Sequence, residues 1–180
     1  CSFGQKIGSG RSAGFLSRGF GKKSGEKVER NSARMNIYLA ADHRGFNLKE
    51  QIKSWLVKEG YQVKDMGNHH FDPNDDYPDF ALKLAQEMKK SSDRGILFCG
   101  SGIGMAIAAN RFPHLRCGLG FNKNQVKHGR KNDNINCLSL PADFLNFEEA
   151  QELIRIFLKT EFDEKESHRR RIEKLVMRNA

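Results

Sequence analysis

The 180-residue chain has few of the features that would place it in several large classes. It has four cysteines, Cys1, Cys99, Cys117 and Cys137, with no Cys-x-x-Cys pair and no zinc-ligand spacing. That excludes a disulfide scaffold and suits a reducing compartment. No apolar run approaches the roughly 18–20 residues of a membrane-spanning helix, and no N-terminal apolar signal core is present. The hydrophobic fraction is 38% and the mean hydropathy −0.67, but the deficit is uneven. Residues 1–34 hold seven glycines, six serines and eight Lys/Arg against two acids, so they carry +6 of the +9 net charge. Residues 35–180 keep 23 basic and 20 acidic residues, which gives little support for a nucleic-acid partner.

The composition divides the chain in two. Residues 1–34 read as a disordered, basic, Gly/Ser-rich extension, with Met35 standing where the folded pattern begins. A non-native or upstream-translated segment, an organelle transit peptide and a nucleic-acid tether all fit that composition. The expectation for the rest, residues 35–180, is one cytoplasmic domain.

From Asn36 the pattern becomes regular. Strands are expected at 36–40, 61–65, 95–99, 116–121 and 134–140. Helices are expected at 46–59, with Gly60 as C-terminal cap, at 77–90 with Pro78 in its first turn, from 105 to 111, near 122–131, at 147–159 and at 166–178. Strand and helix alternate five times. That predicts an α/β fold, a three-layer Rossmann-like sandwich with a five-stranded parallel sheet and a trailing C-terminal helix. Ligands in such sheets sit at the carboxyl ends of the strands. The loops to inspect are therefore Ala41–Gly45, Cys99–Gly104 and Pro141–Asp143.

Gly100, Gly102 and Gly104 separate a strand from a helix, so backbone N–H groups there can approach an oxyanion or phosphate. A Walker loop would need Lys-Ser/Thr where Met105-Ala106 stands, and a dinucleotide fingerprint would need GxGxxG rather than GxGxG. A cysteine phosphatase loop would need Arg at Met105. What remains is Cys99 at a strand tip, with Ser101 beside it, facing amides that are expected to lower its pKa and fit it as a base or nucleophile. A buried structural cysteine is the alternative. Asp42 and His43 lie at the same sheet edge, either as site residues or as a capping device.

These residues resemble a known family. The stretches Ala41-Asp42-His43-Arg44-Gly45-Phe46, Asp76-Tyr77-Pro78, Gly95 to Met105 and Ala108-Ala109-Asn110 look like the B-type ribose-5-phosphate isomerases and the galactose-6-phosphate isomerase subunits, in order, from about Met35 to Arg178. The resemblance implies an aldose–ketose isomerase of sugar phosphates, most simply ribose 5-phosphate to ribulose 5-phosphate, with a phosphorylated sugar as substrate and no metal or other cofactor. It implies a homodimer or homotetramer, and no nucleic-acid or membrane partner. It makes Cys99 the proton-transfer base, and Ser101 with the amides of Gly100, Gly102 and Gly104 the holders of the enediolate oxygen. Asp42, His43 and Tyr77 would bind or shape the sugar site.

Three positions depart from the family pattern. Where a ring-opening His is often found, the chain has Lys131-Asn132-Asp133: ungapped alignment through Asn136 puts Asn132 in that slot with Asp133 beside it, anchoring on Asn132-Asp133 puts Lys131 there, and His128, one helical turn earlier, is either a substitute or a surface His. Asp143 stands where an Arg is expected after the fifth strand. In the tail, Ser167 replaces the first Arg of a phosphate clamp whose His168 and Arg171 match. These departures leave a non-catalytic sugar-phosphate-binding protein as the alternative. Asn68–Asp76, despite His69 and His70, reads as solvated turn material rather than a metal site. The run Arg169-Arg170-Arg171 reads as a phosphate clamp or a solvated helix face. The last helix carries a narrow apolar stripe, Ile172, Leu175 and Val176, which needs a second surface.

Overall fold

The run Ile37-Tyr38-Leu39-Ala40-Ala41 is apolar without alternation, and in a strand this means that both faces are covered. In the computed structural model, which describes residues 35–176, Ile37, Leu39 and Ala41 face one buried cluster while Tyr38 and Ala40 face another. The elements run β1 (Asn36–Ala41), α1 (Phe46–Lys58), β2 (Gln62–Asp65), α2 (Tyr77–Glu87), β3 (Arg94–Cys99), α3 (Ile103–Ala109), β4 (Cys117–Leu119), α4 (Lys123–Asp133), β5 (Cys137–Pro141), α5 (Phe147–Lys159) and α6 (Glu166–Val176). The five strands form one parallel sheet in the order β2-β1-β3-β5-β4.

Helices α1, α4 and α5 cover one face, through Ile52, Leu56, Val126, Ile154 and Phe157 among others. Helices α2 and α3 cover the other, through Phe80, Leu84, Met105 and Ala109. This is the expected three-layer sandwich. Each fully buried aliphatic side chain is worth about 1.5–3 kcal/mol, so the two clusters are the main stabilising term.

Local chemistry sets the element ends. Gly60 adopts φ +86° and closes α1, its N–H donating to Val57 O at 3.0 Å. Pro78 starts α2 as expected. That helix ends at Glu87 rather than Lys90, because Met88 leaves helical geometry and seats its side chain in the core. Asn134, expected in the fifth strand, instead ends α4 in the left-handed conformation at φ 48°. The side chain of Asn136 bridges His114 O and Arg116 N–H at 2.8 and 2.7 Å. The regular register of β5 starts at Cys137, with the Asn136 backbone already bonded to Gly95 N–H and Arg116 O at 2.9 and 3.1 Å. The extension 1–34 and the last residues of the expected 166–178 helix lie outside the described residues.

Candidate active site

Three loops meet at the carboxyl edge of the sheet because of strand register. Ala41 pairs with Phe98, and Cys99 pairs with Pro141. Asp42 N–H continues the first pairing by donating to Phe98 O at 3.2 Å. Beyond the second, Ala142 N–H donates to Cys99 O at 2.9 Å and Asp143 N–H to Gly100 O at 3.1 Å. The first loop can lie this close only because residue 45 is glycine: a Cβ there would fall 2.5 Å from the carbonyl of Phe98. Gly102, at φ +73°, turns the chain into α3, and the buried Ser139 hydroxyl donates to its carbonyl at 2.5 Å.

Strand alternation sends Phe98 to the α1 side and Cys99 to the α2/α3 side. Cys99 is buried, and its Sγ accepts the Gly102 N–H at 3.2 Å. The expectation of an acidified thiol is corrected here. Burial pushes the Cys99 thiol above its ordinary value, and the neighbouring Asp42 carboxylate adds to this. The N–H groups of Met105, Gly102 and Ser101 pull it down without prevailing. At neutral pH the resting group is the thiol.

Ser101 is exposed, and its hydroxyl oxygen accepts the Ile103 N–H only at 3.3 Å. The Tyr77 ring covers Gly104 so closely that a Cβ there would lie 2.8 Å from it. Tyr77 thus walls the glycine loop. Asp42 is 5% exposed and accepts the Gly45 N–H at 2.9 Å, so it closes its own turn while also standing at the site. Burial pushes its carboxyl up, against the pull of the Gly45 N–H and of His43. His43 is bound twice by Asp75, through its backbone N–H at 3.0 Å and ring Nδ1 at 2.8 Å.

The other candidates lie elsewhere in the fold. Helix α4 leaves the carboxyl end of β4 and runs back to the strand starts, so Asn132 and Asp133 sit at the far end of the sheet from Cys99. Asn132 donates to Nε2 of His128, one turn earlier, at 2.7 Å. Helix α6 joins that end: Asp163 N–H donates to Lys131 O at 2.8 Å, and His168 Nδ1 lies 2.9 Å from Asp163 O. Arg171 is exposed on α6. Within one copy the structure therefore gathers Asp42, His43, Tyr77, Cys99, Gly100, Ser101, Gly102 and Gly104. Asn132, Asp133, His168 and Arg171 form a second group.

A family model for ribose/galactose isomerases matches residues 37–175. The probable ribose-5-phosphate isomerase B of Mycoplasma genitalium is 40% identical over 143 residues, 78% of this chain and 93% of that protein. The ribose-5-phosphate isomerase B of Mycolicibacterium paratuberculosis is 34% identical over 140 residues, 77% of this chain and 88% of that one. The crystal structure of the Mycoplasma genitalium enzyme with bound ribulose-5-phosphate aligns with a TM-score of 0.76 at 38% identity, covering 80% of this chain and 95% of that one. The Thermotoga maritima ribose 5-phosphate isomerase aligns at 0.75 and 38%, covering 79% and 97%.

The chain belongs to the ribose/galactose isomerase family. It is accordingly a sugar-phosphate isomerase, and the non-catalytic alternative is set aside. For a member of this family, two site features escaped sequence reasoning. Asp75 lies in an acidic turn run that read as solvent-facing, and most of it is exposed, yet Asp75 turns inward to His43. Arg44 pairs with Asp143 across Gly100, so the aspartate standing at the expected arginine position holds an arginine from another loop. The two stand 99 positions apart, with no local signal of the pairing.

Proposed function

We propose that the protein interconverts ribose 5-phosphate and ribulose 5-phosphate through an enediolate, with Cys99 as the base. The observation that carries this reading is the buried Cys99 sulfur, held by the Gly102 N–H in a loop whose exposed Ser101 hydroxyl accepts only a long bond from Ile103 N–H and whose Gly104 is covered by Tyr77. The thiolate takes the proton from C2 of the open-chain aldose and returns it to C1. Because the Gly102 N–H already points at sulfur, the donors left for the enediolate oxygen are the Ser101 hydroxyl and the Gly100 and Gly104 amides. A thiol held above its ordinary pKa is a stronger base once ionised, at the cost of a smaller ionised fraction.

The second group of residues serves the site from a second copy of the chain. Beside the Cys99 loop, α3 and β4 expose an apolar groove of about 410 Å³ lined by Ile103, Ala106, Ile107, Asn110, Arg111 and Leu119. Ile103 and Ile107 are each more than half exposed there. Docking a second copy on this face buries them and brings the partner's His168 and Arg171 toward the substrate phosphate, with Asn132 and Asp133 beside them. The test is a coupled isomerase assay on five- and six-carbon aldose phosphates. Turnover of ribose 5-phosphate above the others is expected; preference for a six-carbon phosphate would move the substrate assignment.

A further inference from the structure

We propose that the amino end of the sheet, at the far end from Cys99, carries an anion site that takes a phosphate group. Three arginines gather there. Arg94 opens β3, Arg116 precedes β4, and Arg130 lies in the last turn of α4. Cys99 stands at the other end of the six-residue β3, roughly 17 Å from Arg94 at about 3.3 Å per residue.

Strand pairing brings the three together. Gly95 N–H donates to Asn136 O at 2.9 Å and Asn136 N–H to Arg116 O at 3.1 Å, so residues 94, 116 and 136 stand side by side at the strand starts. Asn134 links the other pair: Arg116 Nε donates to its carbonyl and Arg130 Nη1 to its side-chain oxygen, both at 2.9 Å.

These guanidiniums have little counter-charge. Among the described residues all their hydrogen bonds go to carbonyl or amide oxygens: Arg94 Nη1 to Ser91, Ser92 and Asp93, and Arg130 to Thr160 and Ile135 besides Asn134. The buried Arg94 Nε has no hydrogen-bond partner among them. Asp93 offsets part of the charge at Arg94, while its Oδ1 takes the backbone N–H and side-chain amide of Asn36 at 3.2 and 3.3 Å. Burial pushes all three guanidiniums down; mutual repulsion adds to this at Arg94 and at Arg130, which falls to about 9. Buried charge of one sign is costly, and a bound anion relieves it.

A cavity of about 370 Å³ opens beside the cluster, within the roughly 300–1,000 Å³ of small-ligand sites. The turn after α2 lines it with Lys89, Lys90 and Ser91, the turn after α3 with His114 and Arg116, and no acid lines it among the described residues. The Asn136 side chain fixes the wall by holding His114 O and Arg116 N–H at 2.8 and 2.7 Å. With Nε bound to Asn134, the two terminal nitrogens of Arg116 make no hydrogen bond among the described residues and can grip two phosphate oxygens at once. A dianion also balances more of the buried charge than a carboxylate does. The cavity lies on the α2/α3 side, whereas α6, with His168 and Arg171, packs against α4 on the other face, so this is not the clamp proposed above. Inorganic phosphate and a small phosphate ester share this chemistry.

The test is a titration of the full chain with inorganic phosphate, and separately with glycerol 3-phosphate, followed by amide NMR at constant ionic strength with chloride as the control. The signals of residues 89–94 and 114–116 should shift and saturate at millimolar ligand or below. Either ligand doing so supports the site, and the tighter of the two names its source. Arg116→Lys, which keeps the charge and loses the fork, should weaken that binding roughly fivefold or more. Lys89→Gln combined with Lys90→Gln, both exposed, should weaken it roughly threefold or more and leave isomerase kcat unchanged. Shifts confined to residues 100–104 and 168–171 would overturn the inference, as would equal shifts with chloride or undiminished binding in both variants. Should Arg116→Lys fail to fold, undiminished binding in the lysine variant alone overturns it.

Discussion

Cys99 shows how tertiary placement reverses a local expectation. Sequence places a thiol against backbone amides, which favours the thiolate, but the fold also buries it beside Asp42, and burial wins. The sign of the pH dependence follows. With the thiol raised above its ordinary value, the thiolate proposed as base is a minor species at neutrality, so kcat/KM should rise with pH, about tenfold per unit, until the thiol is ionised. A pH–rate profile on ribose 5-phosphate checks this; a plateau already reached below pH 7 would mean that Cys99 is not the titrating base. The partners of single residues were the least legible part of the site. His43 was found from its place in a motif, but Asp75 is 32 positions away, and only the fold turns one carboxylate of an acidic run inward.

At the scale of elements, the order was legible and the boundaries to within about three residues, because apolar periodicity and caps are local properties. One exception is the start of β5, where α4 runs on to Asp133 and Asn134 ends it in the left-handed conformation. A second exception is α1, whose stripe includes Lys49. It is fully buried, with Nζ 2.6 Å from Glu50 and 2.8 Å from Asp65 at the end of β2. Burial pushes the Asp65 carboxyl up, but hydrogen bonds from Lys49 and Lys53 outweigh it and hold it below the ordinary 3.8. Lys49→Met should destabilise the fold by about 3 kcal/mol, since it removes one of the two lysines that neutralise Asp65 and leaves it with Lys53 and the Gly67 N–H, and lower the melting temperature by roughly 6–12 °C. The lowered carboxyl pKa means that this stability is complete above 3.8 and is lost as pH falls through the lower, folded value. The gap between wild type and Lys49→Met in thermal scans should therefore narrow in acid; a gap that widens there would contradict the pairing.

For the whole molecule, the candidate residues divide between the two ends of the sheet, and the proposed function joins them through a second copy of the chain. Arg171→Ala should weaken substrate binding more than turnover, by about 1–3 kcal/mol for a lost charge-assisted contact. Co-refolding it with Cys99→Ala should restore activity, because some mixed dimers then hold one site with both residues intact. Subunit exchange without recovery would place Arg171 outside the shared site. The extension 1–34 has no periodic apolar face in its sequence. A chain beginning at Met35 should keep the activity and melting temperature of the full chain; a drop above about 5 °C, roughly 1–2 kcal/mol, would make the extension part of the fold. The central claim, that this fold isomerises ribose 5-phosphate through Cys99, is tested most directly by comparing turnover of the full chain with that of Cys99→Ala at matched melting temperature. The variant should lose roughly 10²–10⁴-fold in kcat with little change in substrate affinity; near-wild-type turnover in a folded Cys99→Ala protein would contradict it.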